Sequence, residues 1–177
     1  MGKEKIELPN PKYLLELKIR AEKALNSEPP DGLTGFTTAW TLWEAIRLRV
    51  LIRACKREGW TAKQAQDVFT KEHIDDQRFV QLFEIITSGQ RWEHSLPIAA
   101  GRIWPRLLAT EHLRQRIVHG TTRIGEEKLQ RAAWNILRFV DGLRDHPLGN
   151  PLKELPRKSG KIRSDENLPP VLYKNRE

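Results

Sequence analysis

Thr37-Thr38-Ala39-Trp40-Thr41-Leu42-Trp43-Glu44-Ala45-Ile46-Arg47-Leu48-Arg49-Val50-Leu51-Ile52-Arg53-Ala54-Cys55-Lys56-Arg57-Glu58 is the stretch from which the fold is read. Trp40, Trp43, Ile46, Val50, Leu51 and Ala54 recur at i, i+3 and i+4 spacing, and Leu42, Ala45, Leu48 and Ile52 widen the stripe. A helix with so broad an apolar face belongs at the centre of a bundle. Thr37 or Thr38 is the expected N-cap and Gly59 the stop.

The flanks carry the same period. Residues 12–26 place Leu14, Leu15, Leu17, Ile19, Ala21, Ala24 and Leu25 mostly at helical spacing, and Ser27-Glu28-Pro29-Pro30-Asp31-Gly32 ends that run with a proline pair and a turn dipeptide. Downstream, Thr61-Ala62-Lys63-Gln64 reads as a capping box. The helical pattern then continues to about residue 87, with a break expected near His73-Ile74-Asp75. Residues 88–97 read as a loop, and Ile98-Ala99-Ala100-Gly101 as a short apolar segment. A further helix is expected over 104–119, with Pro105 in its first turn and Gly120 closing it. The last, over 125–144, carries Leu129, Ala132, Ala133, Ile136, Leu137, Val140 and Leu143 on one face. No stretch alternates as a strand would. The expected fold is all-α: a bundle of four to five helices over residues 1–146, then an irregular, flexible, basic and proline-containing tail over 147–177.

Composition narrows the function classes. The chain has 177 residues, enough for one domain with a real core. Its 31 Lys plus Arg outnumber 23 Asp plus Glu, a net charge of +8 that favours polyanions or an acidic partner. Residues 144–177 hold eight bases against five acids, so +3 of that surplus lies in the tail. A single cysteine, Cys55, excludes an internal disulfide and a thiolate-rich zinc site, and suits a cytoplasmic setting. The five histidines show no ligand spacing, so no metal and no cofactor are expected. The first residues lack a signal-peptide pattern, and no run approaches a membrane span.

Chemistry concentrates in Glu111-His112-Leu113-Arg114-Gln115-Arg116-Ile117-Val118-His119-Gly120. Arg114 and His119 form an Arg-x-x-x-x-His spacing at a helix end. Histidine can take or give a proton near neutral pH, and arginine offers a planar fork of donors that fits phosphate oxygens. Together the two side chains suit proton transfer beside a phosphate group. Positions five apart lie about 140° apart on a regular helix, so the two side chains converge only through a break near His119-Gly120 or a symmetric partner. A histidine in a final turn followed by glycine also fits an ordinary helix terminus.

This segment resembles the HEPN superfamily of all-α domains, whose motif is Arg-x4–6-His, often Arg-Asn-x-x-x-His, commonly followed by Gly. The long Trp-rich second helix (Ala39 to Ala54) and the amphipathic helix ending in Phe139-Val140-Asp141-Gly142-Leu143-Arg144 extend the resemblance to roughly residues 12–146. Gln115 stands where the family usually has Asn. The resemblance implies a metal-independent endoribonuclease with Arg114 and His119 catalytic. It also implies a homodimer that joins two motifs in one cleft, RNA as substrate, and a toxin–antitoxin or antiviral defence setting with an antitoxin protein as partner.

Auxiliary roles fall to Gln115, to Arg116 as a neighbouring cation, to Thr121 as a phosphate contact, and to Glu44. The Glu44 carboxylate either pairs with Arg47 at i+3 or reaches across the bundle to orient Arg114 or His119. Arg157, Lys158, Lys161 and Arg163 in the tail are candidate RNA-phosphate contacts. Two other readings compete. One is a non-catalytic HEPN module paired with a nucleotidyltransferase-type partner. The other is a helical DNA-binding protein built on residues 61–86, where three bases face five acids, a poor balance for a helix entering a groove.

Overall fold

The computed structural model describes residues 10–69, 74–120 and 124–148. Among these, eight α-helices and one 3₁₀ turn follow one another with no strand: α1 (Pro11–Leu25), α2 (Gly32–Arg57), α3 (Ala62–Phe69), α4 (Asp76–Ile86), α5 (Trp92–Ser95), α6 (Ile98–Leu108), α7 (Glu111–Val118), α8 (Glu126–Gly142) and the 3₁₀ turn Leu143–Asp145. No helix among the described residues is long and apolar enough to cross a membrane.

Helix α2 is the central element. It packs along α1 and α8, meets α4, and α8 in turn packs on α6. Trp43 is fully buried, with Phe79, Trp104 and Phe139 set edge-on around it at ring separations of 5.6, 6.1 and 5.0 Å. Trp92 continues the cluster against Phe79 and Phe83 at 4.8 and 5.1 Å. Edge-to-face pairs of this kind each add about 0.5–1.5 kcal/mol beyond area burial. Four of the six tryptophans, Trp40, Trp43, Trp92 and Trp104, are thereby spent on the core.

The structure corrects three boundaries. Helix α2 starts at Gly32, a turn and a half before the expected cap. The Asp31 carboxylate accepts from the Thr34 amide at 2.9 Å, and the Glu126 carboxylate of α8 takes the Gly32 N–H. Those amide contacts replace Thr37 as the helix start. Gly35 allows the entry to lie against α1, since a Cβ there would meet Leu25 Cδ2 at 2.6 Å.

Residues 88–97, expected as a loop, contain the single turn α5, which seats Trp92 in the core. The helix expected over 104–119 is two helices. Helix α6 begins at Ile98, leaving Pro105 inside it, and ends where Thr110 Oγ1 donates to the Leu107 carbonyl at 2.7 Å. Proline at that position withholds the donor for the Gly101 carbonyl, yet the apolar side chains of Ala100, Trp104 and Leu107 keep α6 on the bundle. The capping box at Thr61 is present: Gln64 N–H donates to Thr61 Oγ1 at 3.2 Å, and Thr61 N–H donates to Gln64 Oε1 at 2.8 Å. Of the break expected near residues 73–75, Ile74 and Asp75 stand outside any helix just before α4, and residue 73 lies outside the described residues. Residues 147–148 form a turn with Leu148 buried, and the remainder of the tail lies outside the described residues.

Candidate functional site

Helix α7 is short, and its registration decides where the motif points. Leu113, buried, anchors it in the core. Arg114 follows with 32% of its side chain exposed, and its Nη2 reaches Glu44 Oε1 on α2 at 3.4 Å. The same carboxylate oxygen accepts from the Trp40 indole at 2.8 Å and lies 3.7 Å from Arg47 Nη2. Glu44 therefore does both things that its position allowed: it neighbours Arg47 along its own helix and reaches Arg114 across the bundle.

Behind Glu44 the network goes underground. Arg47, 2% exposed, places Nη1 2.5 Å from Asp76 Oδ1. Asp76, fully buried, also accepts from the Trp43 indole at 2.9 Å. Its backbone N–H donates to Glu111 Oε1 at 3.3 Å. The contacts thus close a ring from Glu111 of α7 to Asp76 of α4, to Arg47 and Glu44 of α2, and back to Arg114 of α7. Burial pushes the Asp76 carboxyl above its ordinary pKa, while the Arg47 charge and the Trp43 hydrogen bond pull it back.

Two concavities open on either side of the Glu44–Arg114 pair. The larger, about 310 Å³, is lined by Glu44, Arg47, Leu48, Ile74 and Arg114. The smaller, about 210 Å³, lies between Trp40, Thr37 and Thr41 of α2 and Ile117 and Val118 of α7, and shares both Glu44 and Arg114. Val118 leaves 63% of its surface in solvent at the rim.

His119 caps α7, exposed, with its N–H on the Gln115 carbonyl at 3.0 Å. Gly120 follows at φ +60°, a left-handed conformation that turns the chain away from the helix axis. His119 is not among the residues lining either concavity. Gln115 and His112 are exposed and Arg116 is half-buried. Thr121, Arg157, Lys158, Lys161 and Arg163 lie outside the described residues. Among the described residues no cluster of His, Cys, Asp and Glu is placed to hold a metal ion.

Sequence reasoning missed Asp76. Two aspartates open α4, and they divide the work: Asp75 caps the helix by accepting from the Arg78 amide at 2.6 Å, which frees Asp76 to face inward. The available signal was Arg47, a charged residue set among the apolar positions of α2, although Glu44 at i−3 already offered it a local partner. No family model, curated protein or solved structure matches this chain.

Proposed function

We propose that the protein is a metal-independent endoribonuclease of HEPN type, acting as a homodimer in a toxin–antitoxin or antiviral setting. The observation that carries the reading is the position of Arg114: a guanidinium held by Glu44 on the ridge between two concavities, five residues before His119 at the end of the same helix. A phosphate on that ridge would meet the Arg114 fork, and the adjoining nucleotides would have a hollow on each side.

In the reaction the 2′-oxygen attacks phosphorus, the P–O5′ bond breaks, and the products are a 2′,3′-cyclic phosphate and a 5′-hydroxyl. One His119 accepts the 2′-hydroxyl proton and the His119 of a second copy protonates the departing 5′-oxygen, while Arg114 balances the phosphorane charge. Two copies supply the two proton-transfer groups that one chain has only once in its motif.

The test is cleavage of labelled RNA in EDTA by the wild type, Arg114→Ala and His119→Ala, with helicity followed by circular dichroism. Wild-type cleavage in the chelator, lost in both variants at unchanged helicity, supports the reading. Full activity in both variants overturns it. RNA binding without any cleavage by the wild type would instead favour the non-catalytic HEPN module.

A further inference from the structure

The larger concavity has a chemistry of its own. We propose that it is a base pocket selective for guanine, seating the nucleobase beside the phosphate that Arg114 holds; the assignment of the neighbouring phosphate rests on the ribonuclease reading above. Glu44, Arg47 and Leu48 stand at i, i+3 and i+4 on α2, so a carboxylate, a guanidinium and an apolar side chain line one wall together. Leu48 and Ile74, both half-buried, offer apolar contact to the faces of a flat ring.

The polar groups have capacity left. Trp40, Arg47 and Arg114 all converge on Glu44 Oε1, and Oε2 takes part in none of these contacts. Arg47 is 2% exposed, commits Nη1 to Asp76, and its Nε has no hydrogen-bond partner. A buried N–H donor without a partner costs free energy, and Arg47 borders the concavity.

Charge decides what ligand the space takes. Asp76 balances Arg47 from behind and Glu44 offsets Arg114, so the lining carries no surplus of positive charge to hold an anion within the space itself. A neutral group with donors for Glu44 and an acceptor for Arg47 fits. Guanine alone among the four bases presents two adjacent donors on its Watson–Crick edge, N1–H and the N2 amino group, for a carboxylate to accept. Its O6 and N7 are the acceptors that guanidinium groups prefer. Adenine and cytosine set a ring-nitrogen acceptor beside their amino group, and uracil flanks its single N–H with two carbonyls. Each of these would turn a lone pair toward the Glu44 carboxylate.

The full-length protein, titrated calorimetrically in EDTA with each of the four nucleoside 3′-monophosphates, tests this without requiring turnover. All four ligands carry the same phosphate, so their differences report the base. The expected result is 3′-GMP binding about tenfold or more tighter than the other three. Glu44→Gln should bring the four within about threefold of one another, because an amide offers its own donors to the guanine edge. Leu48→Trp, which fills the pocket from a residue outside the polar ring, should abolish the GMP preference while binding of inorganic phosphate persists. Equal affinities in the wild type overturn the proposal, as does a GMP preference untouched by both substitutions. Selective GMP binding in a protein that cleaves no RNA would uphold the pocket and remove the ribonuclease reading. RNA cleavage with no base preference in binding would do the reverse.

Discussion

Arg47 Nη1 and Asp76 Oδ1 meet at 2.5 Å with both side chains shut away from water. The Arg47 guanidinium also lies 5.6 Å from the ring centres of both Trp40 and Trp43. A charge withdrawn this far is tolerable only while its counter-charge is present, because desolvation costs several kcal/mol per ion. The pair therefore ties α4 to α2 directly beneath the Glu44–Arg114 contact, and makes the shape of the candidate site conditional on the core.

Asp76→Asn should accordingly destabilise the protein by about 3–5 kcal/mol, since it strands a buried guanidinium. For a chain of this size that lowers the melting temperature by roughly 10 °C or more. The paired change Arg47→Leu with Asp76→Leu should cost less than either single change, because neither charge is then left alone. Thermal and urea unfolding followed by circular dichroism measures the wild type and each variant. A single Asp76→Asn cost below about 1 kcal/mol would show that the carboxylate is dispensable to Arg47.

Gly142→Ala should be destabilising although it improves helix propensity by up to about 1 kcal/mol. Gly142 ends α8 where that helix crosses α6, and a Cβ built on it would stand 2.9 Å from the Ala100 nitrogen and 3.1 Å from its Cα. Backbone cannot yield as a side-chain tip can, so α6 and α8 must separate at a typical overpacking cost of about 1–3 kcal/mol. Urea unfolding gives the sign directly. A stabilised Gly142→Ala would mean that the two helices slide apart freely at this crossing.

What was legible in the sequence followed side-chain periodicity. The apolar stripe around Trp43 identified the central helix, and the leucine face of α8 identified its partner, because both runs are long enough for a 3.6-residue period to repeat. The misplaced boundaries turn on contacts both local and distant in sequence. Gly32 starts α2 because Asp31 caps the Thr34 amide and Glu126, ninety-four positions away, accepts the Gly32 N–H. Pro105 and Gly101 look like breakers locally, yet Ala100, Trp104 and Leu107 are held by the core. At the candidate site, the spacing of Arg114 and Glu44 on separate helices left two partners open for the carboxylate, and only the packing of α7 across α2 brought the second within reach. Asp76 was hidden for the same reason: its partner lies on another helix, and its neighbour Asp75 supplied a sufficient local explanation for an acid at a helix start.

If Arg114 grips phosphate through its fork, charge alone will not replace it. Arg114→Lys should lower cleavage roughly tenfold to a hundredfold, the loss of one charge-assisted hydrogen bond of about 1.5–3 kcal/mol. The partly exposed pair with Glu44 contributes at most about 1 kcal/mol to folding, so the melting temperature should move by only about 4 °C or less. Glu44→Ala removes the carboxylate that holds Arg114 and should reduce kcat at nearly unchanged fold. Initial rates across RNA concentration, set beside melting curves, separate the two effects. A lysine variant with wild-type rates would mean that Arg114 serves as a diffuse charge only.

His146 sets an acid limit on the fold. It is buried against the Trp92 ring at 5.0 Å, its Nδ1 accepts from the Leu148 N–H at 3.1 Å, and its Nε2 lies 3.0 Å from Ser95 Oγ. With Nδ1 accepting, the proton belongs on Nε2, which donates to a serine that itself donates to the Trp92 carbonyl at 2.7 Å. This excludes His146 as a base for Ser95 and makes the trio a latch for the end of the bundle. Burial, with a smaller contribution from the Arg57 charge, pushes the imidazole pKa down from 6.5 to about 4. Between those values the unfolded chain binds the proton first, so the latch contributes fully above pH 6.5 and its contribution falls away toward pH 4. The loss amounts to about 3 kcal/mol at most. The raised Asp76 and Asp141 carboxyls work in the opposite direction, so the comparison must be between variants at each pH. His146→Phe keeps the ring stack and removes the titration. The wild type should be the more stable protein at pH 7.5, and the gap should shrink or reverse by pH 4.5. Parallel stability curves for the two proteins would show that His146 is not protonated on unfolding in this range.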